Sequence, residues 1–318
     1  MSMYNTVLDI STVVHIPVNL LALYVVHHHS PSNMESLHRF IFNVMMWNLA
    51  GNVFAAFMHM YPLSPTACFR ADGVMSVFVQ NEYVSHFLYA SVIVCLTNCA
   101  LASVFAFPYR YLVFAHQSVV AKIKRKYCFA FCAGLHLCTT ASTLLYYTYF
   151  IVLYDDYPFG HERPPRKGVF CFELGGSLKY TVGAFGAATI STLTVFIVVF
   201  ALLLRRHLVK MTHMYSSYTI GLHRKYLCYM IAITSVTVVF CEIPFLIAFL
   251  AAFYPDMMYA REIFIGSAVL IYNHGSLFAI VTMMTFKPYS QALRHIFCRA
   301  LKKLWSENKI VVTSLYHE

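Results

Sequence analysis

The sequence predicts an all-α membrane protein, a seven-transmembrane helix bundle followed by a short amphipathic C-terminal helix. Three observations carry that reading: an apolar composition, seven runs long enough to cross a bilayer, and cations gathered on one side of those runs. Of 318 residues, 59% are hydrophobic and only 11% are charged, and the mean hydropathy is +0.63, far from the averages of soluble domains. The 27 Phe and 23 Tyr residues suit bilayer interfaces, where a ring meets lipid while a polar edge meets headgroups. The formal charge of +10 falls in short clusters between apolar runs, which is a pattern of membrane topology and not of nucleic-acid binding.

Crossing about 30 Å of hydrocarbon at about 1.5 Å per residue takes about 20 apolar residues. The expected spans are 7–26, 40–61, 83–107, 127–153, 180–204, 226–253 and 263–286, so that 1–286 forms the bundle and 287–318 a tail. Each run is continuously apolar and lacks the alternation of a barrel strand. The first run has no basic flank before it and no small-residue cleavage pattern after it, so it is expected to remain as an anchor. Lys and Arg then set the orientation. The segments 27–39, 108–126, 205–225 and 287–318 hold 17 of the 23 basic residues. Cations favour the cytosolic side, which puts the amino terminus outside and the carboxyl terminus in the cytosol. Beyond the seventh run, Leu293, Ile296, Phe297, Leu301, Leu304 and Trp305 recur at three- and four-residue steps. Arg294, Arg299, Lys302 and Lys303 fill the other faces, which predicts a helix lying flat on the inner leaflet.

Eight of the ten cysteines lie in or beside the apolar runs or in the basic tail, as small buried hydrophobes do. Cys68 and Cys171 lie in loops expected outside, where an oxidising environment lets a bridge persist. Two readings stay open for them, a disulfide or two free thiols. Cys298 in the amphipathic helix is either a palmitoylation site or a packed thiol.

Polar residues within spans must be satisfied by neighbours, because the hydrocarbon offers no water. Glu242 precedes Pro244 in the sixth span. A mid-membrane carboxyl costs about 2.5 to 3.5 kcal/mol on insertion scales and is expected to face the bundle interior. It reads either as a contact for a basic or hydrogen-bonding ligand or as a protonated carboxyl bonded to another helix. His274 in the seventh span could meet Glu242, although its neighbours Gly275 and Ser276 favour helix packing over sensing. Asn98 in the third span is carried as a ligand candidate but fits an interhelical hydrogen bond better, as do Asn43, Asn48, Asn52, His15 and Asn19. His136 is too near the inner side for ligand contact. At the outer rim, His86, Lys179 and Tyr180 could line a cavity mouth, or simply be solvated.

Four segments taken together are specific: Ser30-Pro31-Ser32-Asn33-Met34 after the first span; Tyr109-Arg110-Tyr111 after the third; Thr219-Ile220-Gly221-Leu222-His223-Arg224-Lys225 before the sixth; and His274-Gly275 with Lys287-Pro288-Tyr289 around the seventh. In that order and spacing the chain resembles the nematode serpentine chemoreceptors of the Str superfamily, closest to the Srh and Sri families. The resemblance implies a G-protein-coupled chemosensory receptor of the plasma membrane, in the ciliated ending of a sensory neuron. It also implies two partners besides the lipid bilayer, a small-molecule ligand and a heterotrimeric G protein. Arg110 would belong to the switch that meets the G protein, with Tyr111, Arg224 and Lys225 beside it; a charge that only sets topology is the other reading. Tyr109 stands where many seven-helix receptors carry an acid, and Ser290 where the Lys-Pro-Tyr motif usually continues with Arg.

Chemistry is not expected. The sequence has no His-Glu-x-x-His zinc signature, Gly-x-Ser-x-Gly nucleophile turn, Gly-rich phosphate loop or intramembrane aspartate pair, so neither an enzyme nor a cofactor or metal site is anticipated. A retinal Schiff base would need a lysine within the seventh span, and that span has none. The alternative from another class is a membrane transporter or a ligand-gated channel subunit, since a lone buried Glu can mark an ion path. Repeated halves with broken helices, common in transporters, are not visible.

Overall fold

A computed structural model describes every residue except 1, 32–34, 64–65, 74–80, 121, 159–165, 174–175, 211–215, 255–256 and 316–318. The motif residues Ser32, Asn33 and Met34 lie outside the described residues. Among the described residues, seven helices are long and apolar enough to cross a membrane. They belong to α1 (Ser2–His29), α2 (Glu35–Met58), α3 (Glu82–Ala115), α5 (Arg125–Thr148), α6 (Gly176–Lys210), the continuous rod of α7 (Ser217–Thr237) and α8 (Ile243–Phe253), and α9 (Ala260–Thr285). The short α4 (Gln117–Val120) links α3 to α5, and α10 (Lys287–Leu315) follows α9.

Helices win here because each satisfies its own backbone within lipid, and polar side chains add to that economy. Thr12, Ser91, Thr194, Asn273 and Thr285 each donate to the carbonyl four residues back. The start of α3 is set by Asn81, whose side chain accepts the Tyr83 N–H at 3.0 Å. Pro108 does not end α3, which runs on to Ala115 and carries Arg110 on a helix instead of a loop. Membrane helices tolerate a proline where neighbouring elements re-satisfy the backbone. Pro244 acts differently. Its ring would collide with the carbonyl four residues back, and the chain widens into a π-helical turn over Val238–Glu242, in which the Ile243 N–H donates to Val238 O.

Between α2 and α3, and between α5 and α6, the chain forms a four-stranded antiparallel sheet that the sequence reading did not anticipate. It comprises β1 (Met60–Pro62), β2 (Cys68–Ala71), β3 (Ile151–Val152) and β4 (Val169–Phe172), in the order β1-β2-β4-β3. The fourth span therefore stops at Thr148 and not at 153, because 151–152 are needed as a strand. Cys68 lies directly opposite Cys171, their Cα atoms 4.1 Å apart, and a disulfide joins them. Alternation along the strands sends Phe69, Phe170 and Phe172 into the bundle. It sends Cys68, Val169 and Cys171 against Tyr154.

The bundle core has two parts. One surrounds Phe107, Met230, Phe278, Phe286 and Tyr289; the other lies beneath the sheet around Met58, Tyr147, Phe170, Phe264 and Ile271. Within the bundle α2 packs on α1, α3 and α9, while α8 packs on α9. By contrast α5 and α6 turn long apolar faces outward, among them Tyr127, Phe129, Leu137, Leu145, Val195 and Leu202, a surface suited to hydrocarbon. At Phe286 the backbone is extended, so α10 leaves α9 at an angle. Tyr289 pins its first turn. The phenol is fully buried and donates to Ser30 Oγ at 2.8 Å, since the Ser30 proton is already given to Val26 O.

Candidate functional site

Three layers of the bundle carry the polar side chains. At the end away from the sheet, α3 places Arg110 against α7. Its Nη2 donates to His223 Nδ1 at 3.3 Å, and its guanidinium carbon lies 5.3 Å from the centre of the Tyr226 ring. Among the described residues, Arg110 forms no ion pair with a carboxylate. Tyr109 occupies the place of the usual acid and packs tilted against Phe40, ring centres 4.9 Å apart. Tyr111 faces Phe200 and His207, while Phe114 covers His223 at 4.2 Å. Arg224 and Lys225, the remaining candidates at this end, are exposed.

The middle layer is richer in hydrogen bonds than the sequence reading allowed. Asn98 accepts from His136 Nδ1 at 2.7 Å and donates to Val94 O and Thr140 Oγ1. His136 Nε2 in turn accepts from Asn43 at 3.0 Å. This chain ties α2, α3 and α5 together, using the Asn98 amide N–H groups and one lone pair of its oxygen, as the interhelical reading of Asn98 expects. On the other side, His15 bonds to Ser276 through Nδ1, and Asn19 donates to His15 O and Ser276 Oγ, joining α1 to α9.

Glu242 and His274 lie on elements that pack side by side, yet no hydrogen bond joins them. The Nδ1–H of His274 goes instead to Ile271 O at 2.7 Å. Glu242 is 6% exposed, sits in the π turn beside Cys241 and comes within electrostatic reach of Cys99 of α3. Its Oε2 has no protein partner, so one acceptor in the interior stays unused. A widened turn is what aims this carboxyl inward, and the glutamate before a proline was its only trace in the sequence.

Beneath the sheet, His86 is 4% exposed and not part of a wet rim. Phe170, Phe172 and Tyr147 surround its ring; Tyr147 Oη stands 2.9 Å from Nδ1, and Glu82 lies 3.9 Å from Nε2. Tyr180, by contrast, is 68% exposed and is not one of the rings packed there. The side chain of Lys179 lies outside the described residues. Sequence reasoning passed over Tyr89, Tyr147, Phe170 and Phe172, which together make a packed aromatic cluster. The apolar alternation Phe170-Cys171-Phe172 beside a loop cysteine was the available signal.

A bundle of seven membrane-crossing helices, with an arginine bridging the third to the sixth at one end and a strand-roofed aromatic cluster at the other, defines a multi-pass membrane protein of receptor architecture. A family model described as serpentine type 7TM GPCR chemoreceptor Srh matches residues 1–299. The chain belongs to this family, a nematode chemoreceptor family of the Str superfamily. It is not a family of enzymes, and its general role implies a small-molecule ligand and coupling to a G protein. No curated protein matches the chain.

Proposed function

We propose that this receptor takes a small odorant or tastant into the half of the bundle beneath the sheet and, in response, opens its opposite end to a heterotrimeric G protein. The sheet end faces the exterior and the Arg110 end the cytosol, in the plasma membrane of a sensory cilium. The observation that carries the reading is the Arg110 contact. It holds α3 to α7 through one hydrogen bond to an imidazole and one cation–π contact, without a carboxylate. Neither is strong: a partly exposed cation–π pair contributes about 0.5–1 kcal/mol, and a typical net hydrogen bond about 0.5–1.5 kcal/mol. A ligand need supply only a few kcal/mol of differential affinity to shift such an equilibrium.

Separation of α3 from α7 frees the Arg110 guanidinium for a carbonyl or carboxylate of the docking Gα subunit, with Tyr111 and the exposed Arg224 and Lys225 beside it. In the test, wild type and Arg110→Ala are expressed in cells carrying a promiscuous Gα and screened against small odorants by calcium imaging. Arg110→Ala is expected to reach the surface at wild-type level and lose ligand-evoked signalling. Signalling unchanged at equal surface density would refute the role.

Glu242 is the polar anchor proposed for the ligand, supported by its unpaired Oε2 in the interior. A neutral isostere keeps the volume and removes the charge. Glu242→Gln should therefore shift the dose–response curve for a basic ligand at least tenfold to the right, about 1.4 kcal/mol, with surface expression kept. Superimposable curves at all doses would reject direct contact.

A further inference from the structure

Where α2, α3 and α9 meet, the bundle encloses a cavity lined by Asn48, Gly51, Asn52, Cys95, Tyr272 and His274, with room for about one water molecule. Three polar atoms on these residues are buried without a protein partner: Asn48 Nδ2, Asn52 Nδ2 and His274 Nε2. Asn48 and His274 are 3% and 2% exposed, so bulk solvent does not serve them. The remaining bonds fix what each atom can do. Asn48 Oδ1 accepts from the Cys99 thiol at 3.1 Å, which assigns its amide orientation and leaves two N–H donors. His274 gives its Nδ1 proton to Ile271 O, so its Nε2 carries a lone pair and can only accept.

We infer that this cavity is a built binding site for a single ordered water molecule that joins α2 to α9. Its oxygen accepts one N–H from Asn48 and one from Asn52, and one of its protons goes to His274 Nε2. Two donors and one acceptor around a volume of that size match water and little else. A metal cation would face amide hydrogens, and an anion would face the histidine lone pair. Gly275 belongs to the same construction. A Cβ there would stand 2.9 Å from Asn52 Nδ2 and 3.3 Å from Asn48 Cβ, so the missing side chain is what lets the two amides lie close against α9. The site differs from the Glu242 contact proposed for the ligand and does not depend on it.

The chain contains its own reporter and its own control. Cys95 lines the cavity, whereas Cys99, one turn further along α3 and equally free, is buried in the packed core and its thiol is spent on Asn48. The full-length receptor in lipid nanodiscs is exposed to a brief X-ray pulse, and hydroxyl-radical oxidation is mapped by mass spectrometry. Radicals born from a resident water should modify Cys95 at least fivefold more than Cys99, despite the burial of both, with exposed Cys298 of α10, beyond the last span, labelled as the solvent reference. Asn52→Leu fills the cavity and removes one donor, and should bring Cys95 down to the level of Cys99. Because the wild-type ratio is decisive by itself, a variant that fails to fold does not spare the inference. Equal labelling of Cys95 and Cys99 in wild type, whether both low or both high, would overturn it.

Discussion

His59 stands at the turn from α2 into β1 with a left-handed backbone, φ 38°, held by its own N–H on Ala55 O and by Asp72 N–H on its carbonyl. The imidazole is 2% exposed, and its Nε2 lies 3.7 Å from Asp9. Burial holds it below the usual histidine range, outweighing the opposing pull of Asp9 and Asp72. The sign follows from linkage. Between the usual value of about 6.5 and the lower folded value, the unfolded chain binds a proton that the folded chain refuses. Stability is therefore complete above about pH 6.5 and declines as the pH falls below it, until the folded imidazole also binds its proton. Thermal unfolding of purified receptor between pH 7.5 and 5.5 should show this loss, and His59→Gln should flatten the slope; an unaltered slope in the variant would assign the pH dependence elsewhere. At this scale, reading the sequence succeeded where physics is local. A polar residue in a span must find a partner, and Asn43, Asn98 and His136 do so across three helices. Which partner is chosen depends on helix rotation, which no run of residues states; hence Glu242 and His274 lie on neighbouring elements without bonding each other.

The spans were legible because length and hydropathy are intrinsic to each run, but their bounds were not: α2 stops at Met58 and not at 61 because Met60–Pro62 is a strand, and α1 and α6 run past both expected ends. Pro108 continues α3 instead of ending it, and Pro244 is absorbed by a π-helical turn. The sheet was not legible, since strands of two to four residues in separate loops carry too little periodicity, and their pairing joins positions 103 residues apart. What locks that pairing is the Cys68–Cys171 bond. Closing a loop of that length lowers the entropy of the unfolded chain, and losing a native disulfide typically costs about 2–5 kcal/mol. Cys171→Ser should accordingly lower the thermal midpoint of the purified receptor by several degrees. It should also loosen the roof over His86, since Phe170 and Phe172 flank Cys171 on the same strand. Cys68→Ser and the double variant should match it. A double variant markedly worse than either single one would mean that the two thiols act separately.

For the molecule as a whole, two independent properties support the proposed orientation. Seventeen of the 23 Lys and Arg residues fall on the Arg110 side of the seven spans, and the bias is carried by segments near the span ends, where such charge acts on insertion. The disulfide lies at the other end, and disulfides persist where the compartment is oxidising. Charge acts during insertion and the redox environment acts after it, so their agreement is not circular. In the proposed orientation the start of α10, where Tyr289 is buried, would lie at the inner leaflet, within reach of anionic headgroups for its cations. Epitope tags at the two ends test it in intact cells. The amino-terminal tag should stain without permeabilisation and the carboxyl-terminal tag only after it. The inverse pattern would put the Arg110 contact outside the cell, beyond reach of any G protein, and would favour an inverted seven-span channel subunit over the receptor.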